Sequence, residues 1–567
     1  MTKLSLTRRT ALIGAAGTGL VLTACSETPD SFVPGGEGAF RHGVASGDPD
    51  TNSVVLWTAL TQDGGGFRGV EVARDADFTD IVFAEGGEIT YIQPQPLGTL
   101  KVLATGLEPG QTYFYRFRLN DTYSPVGVTR TLPLGAIDQY RIGIYSCSNF
   151  PAGHFNAYRE GAVNGELDLV IHLGDYLYEY PMGSYATGNA EALNRVPDPL
   201  HEIVSYSDYV TRHAQYKTDP DLQALHAAAP WIMSWDDHET ANNAYMDGAE
   251  NHNPDQGEGP WAERRDAALR AWYDWTPSRE PEDLRDRYGV YEIGNLATIC
   301  LIESRLSARD QEVSLDSFPV ASDADAEDPA VLEAVAAWKR DVVGDPDREL
   351  IGGEQIAGIA GACADSVAAG KPWRILANQV IMSRVNFPDF STEMPGWLRW
   401  YATRNSEFAR NFIMRTRFEI PFNLDMWDGY PAERERLFGA LREAGADVIT
   451  ITGDVHSFWA NDLMASDGYR IGTEFVGTSV TSPSPFSGFK APGVDYGRMM
   501  IEANADVRHC NMVDHGYVRL TLTPETAEAE YITVSTILQR EYEPGLDSHW
   551  RLTRRSLSVA PEVERLA

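Results

Sequence analysis

The sequence predicts a layered α/β domain over residues 138–535 and, in front of it, a small all-β domain of immunoglobulin or fibronectin III type over residues 39–134. Short apolar runs that alternate with helical stretches predict the α/β domain. Alternating aromatic and polar residues in Thr112–Arg118 predict half-buried strands in the front domain. A hydrophobic content of 43% and a charged content of 23% are typical of globular proteins and exclude a largely disordered chain.

The first 25 residues are predicted to be an export signal, and residues 26–38 a linker rich in Ser, Pro, Gly and Glu. Arg8 and Arg9 precede an uncharged run from Thr10 to Ala24 that is too short to span a bilayer, which is typical of twin-arginine signals. Leu22–Cys25 is similar to a lipobox, so Cys25 is a candidate for lipidation and membrane anchoring; cleavage elsewhere is the alternative. We expect an exported bacterial protein that engages the twin-arginine machinery and resides in the periplasm, at the cell surface or outside the cell.

The front domain is predicted to be structural. Ser53–Thr58 is rich in strand-forming residues, and Tyr113, Tyr115 and Phe117 share one face of the next clear strand. Leu107–Tyr113 is similar to the corner of a fibronectin type III sandwich, where the tyrosine hydroxyl holds the turn. We therefore expect these aromatics to form a core and to carry no chemistry.

Five apolar strands are predicted in the second domain, and each is followed by residue types that bind metals. Helices are expected between them, at 330–342 and 431–444. The carboxyl ends of parallel strands meet at one edge of a sheet, so the loops after them are expected to converge. Burying so many unpaired acids without a cation would cost several kcal/mol each. The strand ends are Ser146–Asn149, Gly174–Tyr178, Asp236–Glu239 with Asn242 beyond it, Asn378–Gln379 and Gly453–His456.

The formal net charge of −35 makes long nucleic acid an unlikely partner, since such a surface repels phosphate backbones. An anionic small substrate would need local positive charge, which a bound metal supplies most simply. Residues 536–567 are predicted to be a C-terminal extension whose basic stretch His549–Arg555 either forms a helix near the site or packs on the surface. Beyond Cys25, four cysteines allow one disulfide whose pairing the sequence does not define.

These motifs together resemble the alkaline phosphatase D, or PhoD-like, family of binuclear metallophosphatases, distant relatives of the purple acid phosphatases. The resemblance extends over roughly residues 40–535 and implies a metallophosphatase β-sandwich flanked by helices. It is carried by Gly43–Pro49 (GVASGDP), Ser146-Cys147, Leu173–Glu179 (LGDYLYE), Trp235–Glu239 (WDDHE), Asp425–Pro431 (DMWDGYP) and Gly453–Ser457 (GDVHS).

The resemblance implies a centre of iron and calcium. Its ferric ligands would be Cys147, Asp175, Tyr178 and His456, since a trivalent cation stabilises phenolate and thiolate ligands. Asp175 would also bridge to a second ion held by Asp237 and Asp454, with Asn378 or Gln379 as a further contact. A carboxylate at position 454, where related phosphatases have histidine, favours calcium over zinc. Asn242 is another candidate contact to metal or phosphate.

The resemblance also implies the mechanism. A metal-activated hydroxide would attack phosphorus, and His238 would stabilise the transition state or protonate the leaving oxygen. Arg305 is a candidate phosphate contact, although this chain has Glu303-Ser304-Arg305 where the family often has an Asp-Thr-Arg-like run. Ser148 stands where many relatives have Gln, so the orientation of the substrate is expected to differ.

The leading functional hypothesis is an exported phosphomonoesterase that uses small phosphoesters and also hydrolyses phosphodiesters. A phosphodiesterase or phospholipase-like hydrolase on the same metals is the alternative. A third hypothesis, from another class, is a non-catalytic calcium-binding surface lipoprotein whose front domain mediates adhesion. The five strand ends weigh against adhesion, because that function needs no ferric pocket.

Overall fold

The computed structural model describes residues 38–60, 66–89, 98–321, 323–487, 493–556 and 560–567. The predicted export signal, the lipidation candidate Cys25 and all but the last residue of the predicted linker lie outside these residues. Within them, no helix combines the length and apolar character needed to cross a membrane.

The strands of the described residues build three sheets. Ten, seven and five strands make up these sheets, in the orders β22-β21-β20-β19-β9-β10-β11-β1-β2-β5, β12-β13-β14-β15-β17-β16-β18 and β4-β3-β6-β7, with β8 paired to β6. The strands are β1 Val44–Gly47, β2 Ser53–Leu60, β3 Gly66–Ala73, β4 Ile81–Ile89, β5 Gly98–Thr105, β6 Thr112–Leu119, β7 Thr122–Tyr123, β8 Gly127–Arg130, β9 Tyr140–Tyr145, β10 Leu169–His172, β11 Trp231–Met233, β12 Gly289–Ile293, β13 Ala297–Leu301, β14 Trp373–Ala377, β15 Val448–Thr452, β16 Phe458–Met464, β17 Arg470–Val476, β18 Val507–Asn511, β19 His515–Leu522, β20 Thr526–Val534, β21 Pro544–Thr553 and β22 Glu562–Arg565.

The α-helices lie almost entirely between strands of the second domain, as the sequence predicts. The expected helix at 330–342 is α5, which continues into a π-helical turn at Lys339–Val343, and the expected helix at 431–444 is α9. The helices within the described residues are α1 Asn156–Asn164, α2 Tyr206–Tyr216, α3 Pro220–Ala228, α4 Trp261–Trp275, α5 Pro329–Trp338, α6 Gly352–Ala368, α7 Gly396–Asn405, α8 Glu407–Arg415, α9 Pro431–Glu443 and α10 Tyr496–Ala503.

The two larger sheets enclose a common apolar core. Ile142 and Ile171 of the ten-stranded sheet belong to the same buried cluster as Ile375 and Ile451 of the seven-stranded sheet. Helices α1, α3 and α4 cover the outer face of the first sheet, and α6 and α9 cover that of the second. Each fully buried aliphatic side chain contributes roughly 1.5–3 kcal/mol. The predicted layered β-sandwich flanked by helices is confirmed.

The front strands divide between two sheets. Strands β3, β4, β6, β7 and β8 form the separate five-stranded sheet, whereas β1, β2 and β5 extend the ten-stranded sheet through a parallel contact between Gly47 of β1 and Trp231 of β11. A Cβ at Gly47 would lie 2.6 Å from the carbonyl oxygen of Pro277, so this junction requires glycine. At the predicted corner, the backbone N–H of Glu108 donates to the Tyr113 hydroxyl at 2.8 Å, which confirms the tyrosine corner.

The C-terminal residues form strands, so the alternative in which the basic stretch His549–Arg555 forms a helix near the site is wrong. β21 pairs with β20 and β22 pairs with β21 at the edge of the sheet, separated from β9 by β19 and β20. The burial of β21 alternates, which places Trp550 and Leu552 in the core. The basic side chains are paired: Arg551 contacts Glu528, and Arg554 contacts Asp447. The positive charge of the basic stretch is therefore neutralised by neighbouring acids.

Candidate functional site

The loops after β9, β10, β11 and β15 converge at one end of the two facing sheets. Strands β9, β10 and β11 run parallel in one sheet, and β13, β14, β15 and β17 run parallel in the other. Their loops form three overlapping groups whose metal-binding atoms lie within 4.8 Å of one another. The groups are Cys147 with Asp175 and His456; Asp175 with Asp237 and His238; and Asp175 with Asp236, Asp237 and Asp454. Asp175 is common to all three.

Four of these residues have a left-handed backbone: φ is 62° at Cys147, 54° at Asp175, 63° at Asp454 and 53° at His456. This conformation is uncommon outside glycine and costs about 1–3 kcal/mol at each residue. Gly174 makes the adjacent turn possible, since a Cβ there would lie 2.3 Å from the backbone nitrogen of Asp236. The strand ends are thus bent sharply so that their side chains meet.

The first group is arranged around the Tyr178 hydroxyl, which lies 3.0 Å from Asp175 Oδ2 and 3.2 Å from His456 Nε2. His456 Nδ1 lies 2.9 Å from the carbonyl oxygen of Pro483, so Nδ1 carries the proton and the Nε2 lone pair faces the group. Burial lowers the pKa of His456 to about 3, which keeps the ring neutral. The Ser482 hydroxyl donates to the Tyr178 oxygen at 2.6 Å. These contacts orient the donors as neighbouring groups commonly orient metal ligands.

Burial also determines the protonation of the thiol and the phenol. Together with the nearby Asp175 carboxylate, it raises the pKa of Cys147 and of Tyr178 well above their usual ranges. Both groups therefore stay protonated at neutral pH unless a cation stabilises their anions. The donor set of the first group is thus one that a highly charged cation would ionise.

The second and third groups together concentrate carboxylates in a buried space. Asp175 Oδ1 and Asp237 Oδ1 are buried and accept no hydrogen bond from any described residue. Burial raises the pKa of Asp175 well above its ordinary value and that of Asp454 to about 7. Burial would also raise the pKa of Asp237, but His238 and Arg305 hold it below its ordinary value. Unsatisfied buried carboxylate oxygens in such proximity are destabilising unless a cation lies among them.

Arg305, predicted to contact phosphate, is fully buried among carboxylates. Its guanidinium contacts Asp236 through Nε and Asp425 through Nη1, the latter at 2.7 Å. Its Nη2 lies 3.9 Å from an oxygen of Asp237 and of Asp454 and makes no hydrogen bond to the described residues. Arg305 therefore anchors Asp236, an acid of the third group; contact between Nη2 and phosphate remains a prediction.

His238 belongs to the second group and is held by Glu179. Its Nδ1 lies 2.8 Å from Glu179 Oε2, and Glu179 accepts further bonds from the Asn242 backbone N–H at 2.8 Å and from Asn251 Nδ2 at 2.7 Å. Burial alone would lower the pKa of His238, but the carboxylates of Asp237 and Glu179 raise it well above its ordinary value. These carboxylates favour the protonated ring, in which Nε2–H is available as a donor.

The three amide candidates are engaged elsewhere. The Asn242 side chain accepts from Tyr180 and donates to Glu250, at 2.9 and 2.6 Å. Both amide ends of Gln379 are hydrogen-bonded, to Ser304 and to the Ile302 carbonyl, at 2.6 and 2.8 Å. Asn378 donates to the carbonyl oxygen of Val380 and accepts from Trp427. Their contact with metal or phosphate remains a prediction that these hydrogen bonds do not support.

Glu239 and Ser482 are supporting residues that sequence reasoning did not assign. Glu239 accepts from three backbone amides, those of Asp175, Tyr176 and Asp236, at 3.0, 2.6 and 2.9 Å. Its position in the WDDHE motif was the available signal. Ser482 lies in the loop after β17, where no sequence feature distinguished it from its neighbours. The disulfide that the sequence allows is not formed: the four cysteines of the described residues are all free thiols, namely Cys147, Cys300, Cys363 and Cys510.

The chain is similar to known proteins over most of its length. Residues 142–531 match the sequence model of the PhoD-like phosphatase family, and residues 26–133 match that of the PhoD-like phosphatase N-terminal domain. Alkaline phosphatase D of Bacillus subtilis (strain 168) is 34% identical over 531 residues, which cover 89% of this chain and 79% of that protein. A solved structure described as the structure of PhoD matches with a TM-score of 0.74 and 29% identity over 94% of both chains.

The fold and these matches define an enzyme of the phosphoric ester hydrolase class. More specifically, the chain belongs to the PhoD-like phosphatase family. The resemblance seen in the sequence motifs is therefore confirmed, and the non-catalytic adhesion hypothesis is set aside.

Proposed function

We propose that this chain is an exported, metal-dependent phosphoesterase that hydrolyses small phosphomonoesters and also accepts phosphodiesters. The observation that carries the proposal is the position of Asp175, whose carboxylate is common to a thiol–phenol–imidazole group and to a group of carboxylates. A carboxylate shared in this way can bridge two cations, and paired cations are a recurrent solution to phosphoester hydrolysis.

The two groups differ in chemistry, and we infer that they hold different ions. Cys147, Asp175, Tyr178 and His456 offer a thiolate, a carboxylate, a phenolate and a neutral imidazole, a set that suits Fe³⁺. The other group offers carboxylate oxygens, including Asp237 and Asp454, which suit Ca²⁺. The buried, unbonded oxygens of Asp175 and Asp237 support this fit, because each has a free acceptor site for a cation.

When bound, the ions supply a hydroxide nucleophile and neutralise charge on the phosphoryl oxygens. The residues of this chain then control the leaving group. His238 is placed to protonate the leaving oxygen through Nε2–H, because Glu179 holds its Nδ1 at 2.8 Å. Glu179 is itself fixed by the Asn242 backbone and by Asn251. This hydrogen-bonded chain orients the imidazole and retains its proton.

Export completes the proposal. The Arg8-Arg9 pair and the uncharged run after it support transport by the twin-arginine machinery, which carries folded proteins and would suit an enzyme that acquires its metals before export. Lipidation of Cys25 would anchor the protein to a membrane. We propose the periplasm, the cell surface or the exterior as its location, with no nucleic-acid partner because of the charge of −35.

The test uses protein exported by its native pathway, with elemental analysis and hydrolysis of a chromogenic phosphomonoester and a phosphodiester before and after chelation. We expect iron and calcium, a purple or bronze phenolate-to-iron colour, and loss of activity on chelation. Asp175→Asn should abolish both colour and activity, whereas the exposed Asp283→Asn should retain them. An Asp175→Asn variant as active as the wild type would overturn the proposal.

A further inference from the structure

An apolar cavity opens directly beside the candidate site. Its volume is about 390 Å³, within the range of roughly 300–1,000 Å³ typical of small-molecule pockets. Asp454 and His456 line one side, and most of the remaining lining is apolar, including Phe390, Leu398 and Phe412. A ligand that fills this cavity while its phosphorus lies at the acid groups must carry a long apolar substituent. The cavity thus selects a class of phosphoester.

Helix α7 forms part of the wall and presents a second apolar face to the exterior. Leu398 and Ala402, four residues apart, point into the cavity. On the opposite side, Trp397, Trp400 and Tyr401 are 57%, 61% and 60% exposed. A helix on the surface of a globular protein ordinarily presents charged and polar residues outward. Exposed tryptophan and tyrosine are instead typical of helices that lie at a membrane–water interface.

The charge of the same segment is opposite to that of the protein. Residues 396–417 contain five arginines and one glutamate, a net charge of +4 in a chain whose net charge is −35. Arg404 and Arg410 are exposed, and the guanidinium of Arg404 lies 5.4 Å from the ring centre of Trp400. Arg415 and Arg417 donate to the carbonyl oxygens of Leu315 and Ala324 at the base of the helix pair. Exposed arginines beside exposed aromatics complement an anionic membrane surface.

We propose that α7 and α8 bind an anionic phospholipid bilayer and that the cavity receives an acyl chain of a lipid phosphoester. This inference rests on the proposed phosphoesterase function, since it names the substrate class of the same site. Hydrolysis would consume one water: its oxygen joins phosphorus, one P–O ester bond breaks, and the released alcohol oxygen takes a proton from His238. A proton released by the water then restores His238. Trp397, Trp400 and Tyr401 would enter the headgroup region, with the cavity mouth facing the lipid.

Binding is tested by co-sedimentation with vesicles of phosphatidylglycerol and phosphatidylcholine, compared with vesicles of phosphatidylcholine alone. We expect at least tenfold tighter binding to the anionic vesicles. Trp397→Ala/Trp400→Ala and Arg404→Gln/Arg410→Gln should each weaken it at least tenfold, with circular dichroism unchanged. Tyr469→Ala, which removes a 45% exposed aromatic from the β16–β17 hairpin, should bind as the wild type does.

The proposal would be overturned if the protein did not bind the vesicles. It would also be overturned if the affinity were the same for both lipid compositions and unchanged by both double substitutions. Self-association through α7, measured by sedimentation velocity, together with no binding to vesicles would also overturn the proposal. A second copy of the chain would then occupy this face.

The cavity is tested by chain-length preference. Ala409→Trp fills it from α8 and should lower kcat/KM for a long-chain phosphoester at least tenfold relative to a short-chain one; an unchanged ratio would overturn the acyl-chain assignment. A soluble chromogenic phosphoester distinguishes the two levels of failure. If the wild type does not hydrolyse it, the phosphoesterase function fails, whereas vesicle binding still reports on α7.

Discussion

Buried histidines pack around Lys217 behind the candidate site, and we predict that they destabilise the protein in acid. Lys217 Nζ lies 2.9 Å from His226 Nε2, and the His213 ring stacks on Tyr176 at 6.3 Å. Burial, together with the positive charge of Lys217, lowers the pKa of His213 and of His172 to about 3. These rings therefore remain neutral in the folded state far below the pH at which an unfolded histidine takes up a proton.

The sign and size of the effect follow from the pKa values. The unfolded chain binds protons at these histidines below about pH 6.5, whereas folded His213 does so only near pH 3, so stability falls as the pH drops below 6.5. A pH of 5 lies about 1.5 units below the pKa of an unfolded histidine. At about 1.4 kcal/mol per unit, each such histidine lowers the free energy of unfolding by about 2 kcal/mol. Burial, with Arg41 and Lys217, lowers the pKa of His42 to about 4, so His42 adds a similar loss.

The assay is urea unfolding at pH 7.5 and pH 5 for the wild type and for His213→Leu. The His213 ring nitrogens make no hydrogen bond to the described residues, so leucine removes the titration without removing a bond. We expect the loss of unfolding free energy between the two pH values to be about 2 kcal/mol smaller in His213→Leu. His201→Leu, at an exposed histidine, should show the full loss. An equal loss in the wild type and His213→Leu would refute the reasoning.

Three further predictions address the site and its supports. His238→Asn should lower kcat by about 10²–10⁴-fold while the metal content stays unchanged, because general acid catalysis is lost. Steady-state kinetics and elemental analysis measure the two quantities, and an unchanged kcat would contradict the prediction. Arg305→Met should cost about 3–5 kcal/mol in urea unfolding, since Asp425 and its neighbours lose their buried counter-charge; an unchanged midpoint would count against that role. Gly47→Ala should cost about 1–3 kcal/mol, because the new methyl group would meet the Pro277 carbonyl at 2.6 Å; the measurement is the shift in thermal midpoint, and a stable variant would show that the β1–β11 junction can relax.

Much of the fold was predictable because its signals are local. Apolar runs of five or six residues predicted strands such as Val448–Thr452, and the loops after them were expected to meet because parallel strands end together. The ligand candidates Cys147, Asp175 and His456 do converge. In contrast, no local sequence pattern indicates that β1 joins β11, since that contact depends on a single glycine and a carbonyl remote in sequence.

The less predictable residues are those whose roles depend on distant partners. Asn378 and Gln379 follow β14 as the pattern suggests, yet their amides bond to chain segments that the pattern does not locate, including Trp427 and Ser304. Arg305 is a candidate phosphate contact in the sequence because it follows the apolar strand Thr298–Ile302. Its burial arises from carboxylates up to 120 residues away in sequence, such as Asp425. Side-chain partnership across loops is a tertiary property, and strand-end patterns do not encode it.

Backbone strain and unsatisfied buried carboxylates occur together at the candidate site. Cys147, Asp175, Asp454 and His456 have a strained left-handed backbone, and the same loops bring unsatisfied carboxylate oxygens together. Each feature alone would lower stability, and the two-sheet core must offset both. A bound cation would make the buried carboxylates stabilising, because each unsatisfied oxygen would then become a ligand. The strain and the buried acids therefore have one common explanation. Metal removal should destabilise these loops while leaving the core between the sheets intact.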